Sequence, residues 1–221
     1  MEVDIYSFGM ETSFSLFGDL PVTKEMRDAF TEYKHKHEQR NAVQAMLARQ
    51  FIVEFTNTHT FSLMPPNFVV IDCRGFWENR HTLNNSNSQG HTGLHPENLT
   101  RIMLHNHFKR TFLPDFYEQF GDAMKISKKM QRGRIGIAVY CNKGRDRSVG
   151  CAELLRQILR TQKHDRPQFQ VRVRHICKDA WRQTNQRICP YMKCTICYGN
   201  HFEDMGFARE YGRHSWEPLR F

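Results

Sequence analysis

Short apolar runs alternate with longer amphipathic stretches along the chain, and this alternation predicts an α/β fold. The runs over residues 68–72 and 134–140 are bounded by polar residues, as buried strands of a parallel sheet are. Residues 169–174 alternate apolar with mostly basic side chains, which indicates an edge or half-exposed strand. Because helical sequence separates these strands, we expect a mainly parallel sheet flanked by helices.

Apolar residues recur at helical spacing in the segments around the predicted strands. Thr23 is a candidate N-cap for the first helix, and Pro114 is expected to interrupt the helical sequence that resumes after Pro96. The expected helices cover a stretch from residue 23, residues 42–55, a stretch after residue 96, residues 116–130 and residues 149–160.

The pattern divides the chain into three parts. Residues 1–66 are expected to form an N-terminal helical extension, residues 67–180 an α/β domain, and residues 181–221 an irregular tail rich in Cys and His. Residues 1–22 show no clear period, and they fit a strand pair, a docking arm or a disordered lead.

The chain is basic: its 221 residues include 32 Lys and Arg against 23 Asp and Glu, for a formal charge of +9. This excess favours RNA, DNA, phosphorylated metabolites or acidic proteins as partners, and the alternative is a basic protein without a polyanionic partner. The sequence shows no secretory signal, and no apolar run approaches the roughly 20 residues that span a bilayer. The odd count of seven Cys fits a reducing compartment. We therefore expect a cytoplasmic protein, with the nucleus as the alternative, and no membrane partner.

A charged loop lies between the strand predicted at residues 134–140 and the helix that follows. The first N–H groups of a helix lack intrahelical acceptors, and the helix dipole adds positive potential, so such a turn readily binds an anion. Gly144 lets the backbone curl round a ligand, Arg147 can bind two phosphate oxygens, and Ser148 can cap the helix or hold the loop. The candidate ligand-binding residues of this loop are Cys141, Asn142, Lys143, Gly144, Arg145, Arg147 and Ser148.

Other candidate ligand-binding residues lie at the ends of other predicted strands. Asp72 and Arg74 end the strand at residues 68–72, at the edge of the sheet where open α/β proteins bind ligands. Arg74 is a candidate second phosphate or ribose contact, and Asp72 either orients an arginine or is a plain capping or salt-bridged carboxylate. His175 either contacts the ligand or is a satisfied core histidine.

Cys141 opens a Cys-x5-Arg-Ser sequence, which is the spacing of protein tyrosine phosphatases. The N–H groups of the turn would stabilise a thiolate, so one hypothesis is a cysteine-dependent phosphatase with Cys141 as nucleophile and Arg147 as oxyanion clamp. Asp115 is the candidate general acid, although Pro-Asp at a helix start is also ordinary capping chemistry. The alternative for Cys141 is a buried structural cysteine.

The tail contains the sequence Cys189-x4-Cys194-x2-Cys197-x3-His201, and Cys177 lies upstream of it. Tetrahedral zinc takes four thiolate or imidazole ligands, and a Cys-x2-Cys turn supplies two of them. We therefore predict a structural zinc held by Cys189, Cys194 and Cys197 with His201 or Cys177, which could support a protein-interaction surface. The alternatives are free buried cysteines and a redox pair.

Residues 68–180 resemble the C-terminal domain of RapZ, the bacterial RNase adapter protein. The segments that carry the resemblance, in the same order, are Val70 to Gly75 with Asn79, Thr92 to Leu94, Leu113-Pro114, Cys141 to Ser148 and Val171 to His175. Within the loop, the residues that match the family pattern are Cys141, Gly144, Arg147 and Ser148. Asn142, Lys143 and Asp146 stand where the family has Thr, Gly and His.

The resemblance implies an anion pocket for a phosphorylated amino sugar. In the family this pocket overlaps a surface that binds small RNA and presents it to an endonuclease. The resemblance also adds Thr92 to the candidate ligand-binding residues. The family's N-terminal nucleotide-binding domain, with its Gly-x4-Gly-Lys-Ser/Thr loop, is not recognisable in this sequence. We therefore expect binding of a phosphorylated small molecule or an RNA backbone, with catalysis as the alternative.

Overall fold

The computed structural model describes residues 1–32, 37–59, 68–76, 92–131, 133–160 and 169–181. The strands in these ranges are β1 (Glu2–Gly9), β2 (Phe68–Asp72), β3 (Arg134–Cys141) and β4 (Gln170–His175). They form one sheet in the order β2–β3–β1–β4, and every neighbouring pair is parallel. Parallel strands need crossover connections, and these place helices on the faces of the sheet.

Helices cover both faces of the sheet. They are α1 (Met10–Leu16), α2 (Pro21–Glu32), α3 (His37–His59), α4 (Pro96–Leu104), α5 (Leu113–Lys129) and α6 (Arg147–Arg160), with a π-helical turn at Phe108–Phe112 and a 3-10 turn at Lys178–Ala180. Apolar residues of α4, α5 and α6 pack on one face, and those of α2 and α3 on the other. Within the described ranges, no helix has both the length and the hydropathy to cross a membrane.

Burial on both faces explains the apolar run of β3. Ile135, Ile137 and Val139 pack in the core formed with α4, α5 and α6, whereas Ala138 and Tyr140 pack in the core formed with α2 and α3. All five side chains are buried. A strand covered on both sides needs apolar residues at consecutive positions, so its sequence is a continuous run rather than an alternation.

The predicted α/β class with a parallel sheet is confirmed. β2 and β3 cover the two apolar runs, and β4 covers the alternating segment at the edge of the sheet. Val171 of β4 is buried while Arg172 is exposed, as the alternation predicts. The helix expected at residues 149–160 begins two residues earlier, at Arg147.

The N-terminal segment differs from the prediction, because it does not form a purely helical extension. Its first element, β1, is a central strand that pairs with both β3 and β4, so a boundary after residue 66 does not separate this segment from the sheet. Asp4 and Ser7 interrupt the apolar pattern of β1 and obscure the strand in the sequence. Asp4 is nevertheless buried, because Arg134 and Arg172 both donate hydrogen bonds to its carboxylate.

Two predictions about helix boundaries are corrected. α2 begins at Pro21, so Thr23 lies within the first turn and its hydroxyl donates to the carbonyl oxygen of Leu20 at 2.6 Å. A proline is favourable at this position because the first helical N–H groups have no intrahelical acceptor. Pro114 does not interrupt helical structure either: it lies in the first turn of α5, which continues directly from the π-helical turn.

Candidate anion-binding site

The strand register brings the carboxyl ends of all four strands to the same edge of the sheet. Gly9 at the end of β1 is opposite Cys141 at the end of β3, and Asp72 at the end of β2 is opposite Tyr140. His175 ends β4 opposite a residue near the end of β1. The predicted site residues on β2, β3 and β4 therefore lie at one edge of the sheet, which is where open parallel sheets bind ligands.

The loop between β3 and α6, residues 142–146, is held by its backbone carbonyl groups. Each of its five carbonyl oxygens accepts a hydrogen bond, and the donors come from α1, the residues after β4, the turn before α4, and α6 itself. The pairs are Glu11 N–H to Asn142 O (2.9 Å), Thr12 Oγ1–H to Lys143 O (2.8 Å), Trp181 Nε1–H to Gly144 O (2.9 Å), Gly93 N–H to Arg145 O (3.0 Å) and Gly150 N–H to Asp146 O (2.9 Å).

These carbonyl contacts fix the direction of the N–H groups in the same loop. In a trans peptide the N–H points opposite to the C=O of the preceding residue, and the described chain has no cis peptide. The N–H groups of residues 143–147 therefore point away from the carbonyl partners. The N–H of Gly144 donates to Cys141 Sγ at 3.1 Å. Successive N–H groups turned to one side at the start of a helix can bind an anion.

Two glycines permit this conformation. Gly144 has φ of +65°, a left-handed conformation that side chains with a Cβ rarely adopt. A Cβ on Gly144 would also lie within 3.0 Å of the backbone of Gly9, and a Cβ on Gly9 would lie equally close to the backbone of Lys143. The loop and the end of β1 are thus in direct backbone contact.

Cys141 lies at the base of the loop, with its side chain only 2% exposed. Its Sγ accepts the hydrogen bond from Gly144 N–H and lies 3.2 Å from the hydroxyl oxygen of Ser148. This contact of Ser148 joins the first turn of α6 to the end of β3. The cysteine and the serine of the matched motif are therefore in direct contact.

The charged side chains of the loop differ in their partners. Lys143 pairs with Glu11, and Arg145 pairs with its neighbour Asp146 at 3.0 Å. Arg147 instead donates from Nη1 to the backbone carbonyl oxygen of Arg74 at 3.0 Å, and among the described residues no carboxylate pairs with it. Its positive charge at the first residue of α6 is therefore not neutralised by a neighbouring acid in this part of the chain.

Asp72 and Arg74 form one unit beside the loop. Arg74 Nε donates to both carboxylate oxygens of Asp72, at 2.8 and 2.9 Å, and its guanidinium carbon lies 5.3 Å from the ring centroid of Tyr140. Burial acts against the charged form, but the hydrogen bonds and charge of Asp72 outweigh it and raise the pKa of Arg74. Asp72 is therefore a salt-bridged carboxylate that also orients Arg74, so this geometry fits both alternatives considered for it. Arg74 Nη1 is buried and has no hydrogen-bond partner among the described residues.

His175 has both ring nitrogens engaged within the protein. Nδ1 lies 2.7 Å from the hydroxyl of Ser7, and Nε2 lies 3.2 Å from a carboxylate oxygen of Glu153, which is buried on α6. Arg156 pairs with the same carboxylate at 2.8 Å. This geometry favours the satisfied core histidine over the ligand contact.

The turn that contains Thr92 packs against the loop. Thr92 is fully buried, and its hydroxyl oxygen accepts a hydrogen bond from Leu94 N–H at 3.2 Å. The next residue supplies the N–H that holds Arg145 O. Thr92 therefore supports the turn that holds the loop rather than facing the site. Asn142 lies in the loop itself and is half-buried.

Asp115, the candidate general acid, is exposed in the first turn of α5. Burial and the charge of His105 lower the pKa of His107, and the charges of Asp72 and Asp115 oppose this shift. Both carboxylates thus lie within electrostatic range of His107. Its role as an acid stays a prediction.

Several residues that build the site were not singled out in the sequence. Trp181, Glu11 and Thr12 hold carbonyl groups of the loop, and Ser7 and Glu153 hold His175. None belongs to a recognisable motif, because each contributes through its place in the fold rather than through spacing. The one signal in the sequence was Gly9, which follows apolar residues. A glycine at such a position is typical of a place where another segment of backbone approaches closely.

Cys177 is the one candidate zinc ligand within the described residues. It is fully buried, and its Sγ accepts a hydrogen bond from Gly9 N–H at 3.3 Å. Burial raises the pKa of the Cys177 thiol to about 11, against an opposing effect of that hydrogen bond. The ranges with described structure contain no group of three or more His, Cys, Asp or Glu able to hold a metal. The other candidates, Cys189, Cys194, Cys197 and His201, lie outside those ranges, so the zinc site stays a prediction.

The fold and this edge of the sheet define a parallel α/β domain with a strand–loop–helix turn closed over a buried cysteine. The family model of the RapZ C-terminal domain matches residues 54–177. The match covers more than half of the chain, and the chain belongs to the RapZ C-terminal domain family. β1 lies outside the matched range although it is central to the sheet. No curated protein and no solved structure matches the chain.

Proposed function

We propose that this chain binds a phosphate group, carried by a phosphorylated small molecule or by an RNA backbone, in the loop of residues 142–146. The observation that carries the proposal is the set of five consecutive carbonyl groups held from outside the loop. The N–H of each peptide points opposite to the preceding C=O, so the N–H groups of residues 143–147 point away from these donors. A loop held in this way has little conformational freedom left to lose when an anion binds, which lowers the cost of binding.

Arg147 supplies the charged part of the proposed interaction. Its Nη1 is held by Arg74 O, and the other N–H groups of the guanidinium have no partner among the described residues. A planar guanidinium can then donate to phosphate oxygens, and charge-assisted hydrogen bonds are roughly twice as strong as neutral ones. Arg74 Nη1 is a second donor in need of an acceptor at this edge, since it is buried without a partner in the described ranges.

The formal charge of +9 and the family resemblance support an RNA ligand as well as a small one. The two differ in their response to salt. An RNA backbone binds through many phosphates and releases counterions, so its affinity falls steeply as salt concentration rises. A single phosphate group held in the loop contributes far less to that dependence.

The proposal is tested by calorimetric titration with a phosphorylated amino sugar and with the same sugar lacking the phosphate. We expect saturable binding of the phosphorylated sugar alone, weakened roughly tenfold or more in Arg147→Ala. Arg27→Ala is the matched control, because Arg27 is exposed on α2 and also donates to a backbone carbonyl oxygen, that of Phe14. Equal heats for both sugars, or equal affinity of the Arg147→Ala and Arg27→Ala variants, would contradict the proposal.

A second candidate function is a cysteine-dependent phosphatase, and the surroundings of Cys141 Sγ favour it. An N–H group and a hydroxyl group both lie within hydrogen-bond distance of the sulfur, which is the environment that stabilises a thiolate nucleophile. The sulfur would attack phosphorus while Arg147 holds the transferred oxygens and Asp115 protonates the leaving oxygen. Transfer of the phosphoryl group to water would then restore the thiol.

Hydrolysis of a generic aryl phosphate under reducing conditions separates the two candidates. Turnover by the wild type that is lost in Cys141→Ser and kept in Cys151→Ser would identify an enzyme, because Cys151 is also a buried free thiol. Absence of turnover in all three proteins would count against the phosphatase, and the titration with the phosphorylated sugar then decides whether the chain binds phosphate.

A further inference from the structure

Trp181 is the side chain that holds the centre of the loop. It is 1% exposed, and its indole N–H donates to Gly144 O at 2.9 Å. The same ring packs with Leu94 and Val149, which belong to the turn before α4 and to the first turn of α6. It also lies 5.5 Å from the ring of His175. The indole is therefore wedged between three of the elements that surround the loop.

The carbonyl group of Gly144, which Trp181 holds, belongs to the peptide bond of the loop that follows its glycine and can therefore rotate most easily. Gly144 is in the left-handed conformation, and glycine moves between left-handed and right-handed regions without a steric penalty. Rotation of the peptide between Gly144 and Arg145 would reverse both its C=O and its N–H. The indole hydrogen bond opposes this rotation, because it would leave a buried carbonyl group without a donor.

We propose that Trp181 is a positioning residue of the anion site, which keeps the Arg145 N–H turned toward the bound phosphate by holding the carbonyl of the preceding residue. This inference rests on the proposed function. It adds a component from outside the loop motif, 37 residues along the chain from Gly144. The indole does not touch the ligand and acts only through the backbone of the loop.

The first test is calorimetric titration of inorganic phosphate into the wild type, Trp181→Phe and Phe169→Leu. Trp181→Phe keeps an aromatic ring but removes the donor, and we expect its affinity to fall about fivefold or more, as loss of one buried hydrogen bond implies. Phe169→Leu is the control, because it shrinks a buried side chain at the amino end of β4, at the edge of the sheet opposite the loop. It is expected to bind phosphate as the wild type does.

The second test follows the indole N–H resonances of the labelled wild type during the same titration. The chain has three Trp, so Trp77→Phe and Trp216→Phe assign the Trp181 resonance by elimination without changing Trp181 itself. We expect this resonance to shift with the dissociation constant measured by calorimetry, and to stay fixed in Arg147→Ala. This readout does not depend on whether Trp181→Phe folds.

The outcomes separate this inference from the proposed function. Wild-type affinity in Trp181→Phe, an equal loss in Phe169→Leu, or an indole resonance that stays fixed while the wild type binds phosphate would each overturn the role of Trp181 alone. Absence of saturable phosphate binding by the wild type would overturn the proposed function and this inference with it.

Discussion

The guanidinium of Arg147 donates a hydrogen bond of 3.0 Å to the backbone carbonyl oxygen of Arg74, which follows β2. This contact joins the start of α6 to the end of a strand 73 residues earlier in the chain. The acceptor is a neutral carbonyl rather than a carboxylate, and no described carboxylate pairs with Arg147, so within the described ranges its charge is oriented but not neutralised. Orientation without neutralisation is what an arginine needs to bind a phosphate.

Arg147→Ala and Arg147→Lys should differ in their effect on phosphate affinity. Hydrogen bonds to charged groups contribute about 1.5–3 kcal/mol, so we expect Arg147→Ala to weaken binding roughly tenfold to a hundredfold. Lys keeps the charge but lacks the planar fork, so it should restore the affinity only in part. Titration calorimetry with inorganic phosphate measures both, and full affinity in Arg147→Lys would show that charge alone is recognised.

Gly144→Ala should destabilise the fold. The new Cβ would meet the backbone of Gly9, and the φ of +65° is unfavourable for alanine. Left-handed backbone and overpacking each cost on the order of 1–2 kcal/mol, so we expect a loss of about 2 kcal/mol or more in the free energy of unfolding. Urea unfolding followed by circular dichroism measures this change.

Gly133→Ala is the control for that substitution. A Cβ at position 133 meets nothing within 4 Å, and its φ is not in the left-handed range. We expect this variant to lie within about 0.5 kcal/mol of the wild type, as surface substitutions do. Similar losses in the two variants would argue against a tight contact between the loop and the end of β1.

The stability of the protein should fall as pH rises above about 9. Burial raises the pKa of Cys177 to about 11 and also raises that of Cys73, from a usual value of 9.0 for both thiols. Above pH 9 the unfolded thiols lose their protons while the folded ones keep them, so the unfolded state binds fewer protons and its free energy falls relative to that of the native state. The stabilisation that comes from keeping these thiols protonated is fully present below pH 9. For Cys177 it is lost between pH 9 and 11.

Urea unfolding at pH 8, 9 and 10 under reducing conditions tests this dependence. Each such thiol contributes a decrease on the order of 1 kcal/mol per pH unit within its window. Cys177→Ala removes one of the groups, so its stability should fall less steeply with pH than that of the wild type. Parallel curves for the two proteins would contradict the assignment to Cys177.

Ser7→Ala should destabilise the network around His175. Ser7 is fully buried, and its hydroxyl lies 2.7 Å from His175 Nδ1, so the substitution leaves a ring nitrogen without its partner. We expect a loss of about 1–3 kcal/mol, the cost of a buried polar group left unsatisfied. Ser15→Ala is the control, since Ser15 is exposed and donates to Thr12 O. Equal melting temperatures of Ser7→Ala and Ser15→Ala would show that the contact between Ser7 and His175 does not stabilise the protein.

The sequence predicted the parallel sheet and the loop because the apolar residues of β2, β3 and α6 are buried and recur in a readable period. It did not predict β1, because Asp4 and Ser7 are polar residues whose partners lie on β3 and β4. A buried carboxylate is indistinguishable from an exposed one in the sequence until its arginines are located. Polar residues in a central strand thus hide it from an analysis of periodicity.

Within the site, the sequence indicated which residues share an edge but not what each one contacts. Asp72, Arg74 and the residues of the loop were found because strand ends carry ligand-binding residues in this class of fold. The role of His175 was open until Ser7 and Glu153 were located beside its ring. Trp181 carried no signal, because a single Trp after the last strand fits any core.

The central claim is that the N–H groups of the loop bind phosphate, and it is tested most directly by their amide resonances. Inorganic phosphate is titrated into the labelled wild type and into Arg147→Ala, and the N–H resonances of Gly144 and Arg145 are followed. The account predicts that both resonances shift to saturation in the wild type and that the shifts are lost or strongly weakened in the variant. Resonances that stay fixed in the wild type, or that shift equally in both proteins, would contradict it.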